Sequence, residues 1–72
     1  MTDLNRNVDA AVRDLVQELV SDYLHGNKAD ARSIWYTIPQ TRIALATLYT
    51  IREFSQHGCY DDAVTFIRSV SS

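Results

Sequence analysis

The chain has 72 residues and a formal net charge of −2, with 46% hydrophobic and 22% charged residues. This length suits a single domain, since domains usually contain about 50 to 250 residues. The hydrophobic fraction is ordinary for a folded protein, and the negative charge argues against a general nucleic-acid coating protein. The sequence therefore predicts one small folded domain over residues 1–72.

Cys59 is the only cysteine, so an internal disulfide is excluded. Paired cysteines are typical of small secreted domains, and the first residues lack the basic and then apolar pattern of a signal peptide. No apolar stretch approaches the roughly 20 residues that a membrane-spanning helix needs. We therefore expect a cytoplasmic protein without a membrane partner.

The first predicted helix is the most regular element. Apolar residues recur along it at helical spacing, and charged residues occupy the opposite side. Asn5 or Asn7 can cap its start, and Gly26 can end it because glycine accepts the left-handed conformation.

Three shorter predicted helices follow. The second begins after Asn27, a candidate N-cap, and ends before Pro39, which excludes a helical conformation at the preceding residue. The third is apolar around nearly its whole circumference, which predicts a buried helix. The fourth begins at Asp61, whose side chain can cap it. We therefore predict an all-α fold with four helices over about 7–25, 29–37, 40–56 and 62–70.

Two similar segments separated by 32 residues indicate an internal repeat. The two His-Gly pairs align at this offset, and Ala31 aligns with Ala63. Chance agreement between two helical hairpins is the alternative. The pattern predicts a small bundle of two hairpins over about 7–38 and 40–70, each with a long helix, a His-Gly turn and a shorter helix.

Six residues of the second hairpin follow a recognisable spacing: Phe54, Gly58, Tyr60, Ala63, Phe66 and Val70. With this pattern the hairpin, mainly within residues 47–70, resembles a tetratricopeptide repeat. The resemblance implies that Gly58 makes the turn, that Tyr60 packs behind it, and that Ala63 lets the two helices approach closely. It also implies a protein that binds peptides or other proteins on a concave helical face. The first hairpin departs from the pattern, with Lys28 at the tyrosine position.

Two hairpins bury little surface, and a stack of helical repeats needs about three units for a continuous core. The missing surface then has to come from another chain, and the first and third helices carry surplus apolar residues. We therefore expect a homodimer whose interface contains Leu15, Leu19, Tyr23, Leu45 and Leu48.

Catalytic and metal chemistry have little support in the sequence. His57, Cys59, Asp61 and Asp62 lie close together, but their spacing is not a zinc pattern. Cys59 beside His57 lacks an orienting group and an oxyanion hole. We therefore expect no enzymatic activity, no cofactor and no metal site.

The richest cluster of aromatic and basic side chains surrounds the Pro39 turn. Such residues are enriched at interface hot spots, although core packing is the alternative for the aromatic ones. We predict a protein-protein interaction module, a regulator or adaptor that homodimerises and binds another protein. The predicted binding surface consists of Arg32, Trp35, Tyr36, Arg42 and Tyr49.

A small DNA-binding regulator is the alternative function. Gln40-Thr41-Arg42 opens the third helix after a tight turn, as in a helix-turn-helix protein, where the start of the recognition helix contacts bases. Arg32, Arg42 and Arg52 could contact phosphates. The apolar third helix and the negative net charge make nucleic acid the less favoured partner.

Overall fold

A computed structural model describes the backbone of residues 2–71 and the side chains of residues 8–71. The first helix, α1, spans Thr2–Leu24 and therefore begins earlier than predicted. Asn5 and Asn7 lie within this helix and do not mark its start. The physical reason is that no glycine or proline interrupts the first turns, so the helix continues toward the N-terminus.

Three further helices complete the all-α fold, and the described residues contain no strand. A short 3-10 turn over Gln40–Arg42 precedes the third α-helix, which the sequence predicts from residue 40. Pro39 has an extended conformation, and its carbonyl accepts a hydrogen bond from the Arg42 amide at 2.8 Å. The chain therefore turns tightly before the α-helical pattern begins. The helices are α2 (Lys28–Thr37), α3 (Ile43–Gln56) and α4 (Tyr60–Ser71).

The start of α4 differs from the prediction. The Cys59 carbonyl accepts hydrogen bonds from the amides of Asp62 and Ala63, at 3.1 and 3.4 Å. Cys59 is therefore the residue before the helix, and Asp61 lies in the first turn rather than at the N-cap. Its charge still lies near the positive end of the helix dipole. Asn27 precedes α2 as predicted, but its side chain makes no capping hydrogen bond.

The two His-Gly turns have the same backbone geometry, as the repeat predicts. Gly26 has a φ of +88° and Gly58 a φ of +73°. In each turn the amide after the glycine donates to a carbonyl five residues earlier, at 2.8 Å from Asn27 to Asp22 and from Cys59 to Phe54. These hydrogen bonds define a Schellman motif at the ends of α1 and α3.

Replacing Gly58 with alanine should lower the free energy of unfolding by about 1 kcal/mol, because a side chain disfavours positive φ. A Cβ atom at Gly58 would meet no other atom within 4 Å, so this cost is conformational and not steric. Urea denaturation followed by circular dichroism measures it. Gly58→Asn is the control, and we expect a smaller loss because asparagine tolerates this conformation. Equal stability of the alanine variant and the natural chain would contradict the turn assignment.

The helices pack as two hairpins side by side. α1 contacts both α2 and α3, and α3 contacts α4. α1 and α3 run in the same direction. Asp9, in the first half of α1, lies beside Arg42, which directly precedes α3, and the Tyr23 and Phe54 rings meet near the ends of the two helices. The long helices therefore form one layer and the short helices the other.

A cluster of four aromatic rings joins the hairpins, with one ring from each helix. The Tyr23 ring lies 5.3 Å from that of Phe54 and 5.6 Å from that of Phe66, both edge to face. The Trp35 and Phe66 rings lie 5.7 Å apart, also edge to face. Each such pair contributes about 0.5–1.5 kcal/mol of stability in addition to the stabilisation from burying its apolar area. The four rings therefore form the centre of the core.

Equivalent alanines lie where the two helices of each hairpin approach. Ala31 and Ala63 are both fully buried. Tyr60 differs from what the resemblance implies, because 57% of its surface is exposed. It is the first residue of α4, so its side chain lies at the helix start and not behind the turn.

α3 is buried on one face only, whereas the sequence predicts burial around its circumference. Ala46, Thr50 and Phe54 are the buried residues of this helix. Ala44 is exposed, and so is 45% of Leu48. The reason is that, among the helices described for residues 2–71, none covers the side of α3 that carries Ala44 and Leu48.

Candidate protein-binding grooves

Two adjoining depressions between α1 and α3 form a groove, called here the α1–α3 groove. Arg13 and Tyr49 line both depressions. The larger has a volume of about 460 Å³ and the smaller about 140 Å³. The remaining lining residues are Asp9, Ala10, Asp14 and Gln17 in the larger, and Arg52, Glu53 and Gln56 in the smaller. The half-buried Tyr49 ring therefore lies at the junction of the two.

The α1–α3 groove carries charges of both signs. Arg13 and Arg52 are exposed and are flanked by carboxylates. At one end, Nε of Arg42 lies 3.7 Å from Oδ1 of Asp9, with both side chains partly exposed. Such a pair contributes less than about 1 kcal/mol. The groove is therefore polar and close to neutral, with one aromatic ring in its wall.

A second groove lies where the ends of α2 and α4 meet the start of α3, and is called here the α2–α4 groove. Trp35, Ile38 and Val70 line it. Trp35 is only 5% exposed, so most of its ring belongs to the core. Tyr36 also lines the groove and is 63% exposed. Gln40, Thr47 and Ser71 also line it, so this groove combines apolar and polar walls with one exposed ring.

The structure divides the predicted protein-binding residues among separate surfaces. Trp35 and Tyr36 line the α2–α4 groove, whereas Tyr49 lines the α1–α3 groove and Arg42 lies at its end beside Asp9. Arg32 is exposed on α2 and lines neither groove. The single aromatic and basic surface expected from the sequence is therefore not formed. Three of these residues lie on different sides of α2, with Trp35 buried and Arg32 and Tyr36 exposed, while Arg42 lies in the 3-10 turn and Tyr49 on α3.

The residues expected at a dimer interface fall into two groups, one buried in the core and one partly exposed. Leu19 is fully buried and Tyr23 is 9% exposed, so both pack within one chain and leave no surface for a second copy. Leu15 and Leu45 are half-buried, and Leu48 is 45% exposed. Leu19 and Tyr23 belong to the core because α1 is the helix that both α2 and α3 cover.

Several groove residues were missed in the sequence analysis, among them Arg13, Gln17 and Glu53. Their neighbours come from the other long helix and not from nearby sequence. The 32-residue offset of the repeat could have indicated this groove. Gln17 and Tyr49 are separated by that offset and line the same depression. Placing the long helices side by side in the same direction would have predicted the groove.

The thiol of Cys59 ionises less readily than that of a free cysteine. The pKa of Cys59 is raised above its usual value. Partial burial of the thiol is the larger cause, and the nearby Asp62 carboxylate is the smaller one. The thiol also donates a hydrogen bond to the His57 carbonyl at 3.4 Å. A raised pKa lowers the thiolate fraction at neutral pH.

The described part of the chain contains neither a cluster of side chains that could hold a metal ion nor a membrane-spanning helix. Among residues 8–71, no three histidine, cysteine or acidic side chains are placed to hold a metal ion together. No helix within residues 2–71 combines the length and apolar composition that crossing a membrane requires.

Searches with family models, among curated proteins and among solved structures return no match to this chain.

Proposed function

We propose that this protein is a non-enzymatic interaction module that binds an extended segment of another protein in the α1–α3 groove. It acts as a regulator or adaptor by occupying that segment, as a homodimer and in the cytoplasm. The position of Tyr49 carries the proposal. A half-buried tyrosine at the junction of two depressions can pack against an apolar side chain and hydrogen-bond through its hydroxyl group.

The length and direction of the groove support a peptide ligand. α1 and α3 run side by side, and the groove extends along both from Asp9 to Gln56. A peptide lying along it would contact successive polar side chains of the two helices. The peptide-binding face implied by the tetratricopeptide resemblance is also concave and helical.

The charge pattern of the groove favours a polypeptide over a nucleic acid. Phosphate backbones bind to clusters of lysine and arginine, and the affinity rises with each neutralised phosphate. Here Arg13 and Arg52 alternate with acidic side chains, and Arg42 is paired with Asp9. A segment carrying both acidic and basic residues complements such a surface, because each of its charges finds an opposite one.

Replacing Tyr49 with alanine should weaken peptide binding at least about tenfold, the loss of 1.4 kcal/mol or more that is typical of an interface hot spot. The ligand comes from a random peptide library displayed on phage and selected on the immobilised natural chain. Fluorescence anisotropy of the enriched peptides then compares affinities between variants. Far-ultraviolet circular dichroism verifies that each variant remains helical.

Tyr36→Ala is the matched control, because it removes an equally large ring from the α2–α4 groove. We expect this variant to bind the selected peptides with unchanged affinity. Loss of binding in Tyr36→Ala but not in Tyr49→Ala would contradict the choice of groove. Selection of no peptide, with tight binding of a DNA duplex lost in Arg42→Glu, would contradict the proposed function.

A further inference from the structure

The outer face of the second hairpin corresponds to a face that is buried in the first hairpin. At the repeat offset, four buried residues of α1 align with four residues of α3. In α1 these four side chains are buried, whereas in α3 three of the four are exposed and the fourth, Ile51, is partly buried against the core. The aligned pairs are Val12 and Ala44, Val16 and Leu48, Leu19 and Ile51, and Tyr23 and Ser55.

The uncovered face of α3 is mainly apolar and centred on Leu48. Leu48 is the most exposed large hydrophobic residue of this helix. Leu45 and Ile51, both half-buried, lie one turn before and after it on either side. Ile67 of α4 is also half-buried and aligns with Trp35 of the core. The second hairpin thus retains a surface of the kind that packs another helix.

The outer side of α1 in a second copy, stacked head to tail, cannot cover this face. Ala46, Thr50 and Phe54 form the buried face of α3 that contacts the first hairpin. At the repeat offset they align with three acidic residues on the outer side of α1: Asp14, Glu18 and Asp22. Stacking copies head to tail would bring these carboxylates against Leu48 and its neighbours. Burying unpaired carboxylates in an apolar interface is strongly unfavourable.

We propose that two copies of this chain pair through the Leu48 face, with α3 of one copy antiparallel to α3 of the other about a two-fold axis at Leu48. The inference deepens and rests on the homodimer part of the proposed function. A two-fold arrangement covers the same apolar face on both copies and leaves the acidic side of α1 in solvent. It also closes the assembly, which head-to-tail stacking does not.

The arrangement of residues on α3 satisfies this symmetry. With Leu48 on the axis, Leu45 lies opposite Ile51 of the second copy. Arg52 lies opposite Ala44, which is small and uncharged, so like charges do not meet. Tyr49 lies on another side of α3, in the α1–α3 groove, and remains accessible.

The required area is modest for a chain of this size. A standard interface buries about 800 Å² on each partner. That is roughly one sixth of the 4847 Å² accessible surface of the chain.

Replacing Leu48 with glutamate should convert the dimer to a monomer. Light scattering after size exclusion, at a low and a high concentration, should give twice the chain mass of 8.2 kDa for the natural sequence and a single chain mass for Leu48→Glu. Val8→Glu is the matched control, since Val8 is an apolar residue of α1 with 41% exposure, and it should remain dimeric. Circular dichroism verifies folding in each case.

A cysteine cross-link tests the axis without depending on a destabilising charge. In a Cys59→Ser background, Leu48→Cys should form a disulfide-linked dimer on mild oxidation, whereas Thr65→Cys, on the exposed side of α4, should not. A natural chain that is monomeric at both concentrations would overturn the homodimer altogether. A dimer that survives Leu48→Glu would overturn this interface alone. Peptide binding retained by Leu48→Glu would show that the groove functions independently of either result.

Discussion

Replacing Phe66 with alanine is expected to lower the free energy of unfolding by about 3–5 kcal/mol, the usual cost of deleting a buried aromatic ring. Phe66 is fully buried, and its ring contacts those of Tyr23 and Trp35 edge to face. A chain of this size has a total stability of only about 4–11 kcal/mol. The loss of one ring should therefore remove much of the stability of the domain.

Urea denaturation followed by circular dichroism and Trp35 fluorescence measures this effect. Because Trp35 is 5% exposed and next to Phe66, its emission should shift to the red as the core opens. Tyr36→Ala is the control for removal of an aromatic ring, and should change the stability by less than about 0.5 kcal/mol at its exposed position. A Phe66→Ala variant within 1 kcal/mol of the natural chain would contradict the central role of the aromatic cluster.

The second large effect is expected at Ala63, where α3 and α4 approach closely. Ala63 is fully buried, so leucine at this position has to push the helices apart or adopt a strained rotamer. Overpacking of this kind costs about 1–3 kcal/mol. The repeat predicts a loss of similar size for Ala31→Leu, because Ala31 is equally buried between α1 and α2.

The melting temperatures of Ala63→Leu and Ala31→Leu test this equivalence. Val64→Leu is the matched control, since Val64 follows Ala63 in α4 but is only half-buried. We expect that variant to melt close to the natural chain. Similar melting temperatures for all four proteins would show that close approach at the alanines is unnecessary for the fold.

Local sequence signals predicted the helices and turns well, but were weaker at helix starts. Gly26 and Gly58 have the positive φ angles expected of them, because glycine has no Cβ atom to oppose that conformation. Asp61 is a good N-cap by type, yet the helix begins at Tyr60, two residues before the predicted start at residue 62. Several residues around a turn can precede a helix, and packing selects among them.

The candidate sites were harder to predict because side-chain type does not distinguish a core from a binding surface. Trp35 and Tyr36 are adjacent aromatic residues, but one is almost buried and the other is 63% exposed. Helical periodicity separates them only when the core side of α2 is known. The α1–α3 groove depends on contacts between helices far apart in sequence, and only the repeat offset contained information about these.

Mapping a selected peptide onto the chain by amide chemical shifts is the most direct test of the proposed function. The peptide is titrated into uniformly nitrogen-15-labelled protein of the natural sequence. Shift changes are predicted to concentrate on the two segments that line the α1–α3 groove, residues 9–17 and 49–56. Changes centred on Tyr36 and Val70 instead, with Tyr49 unaffected, would contradict the assignment of this groove as the binding site.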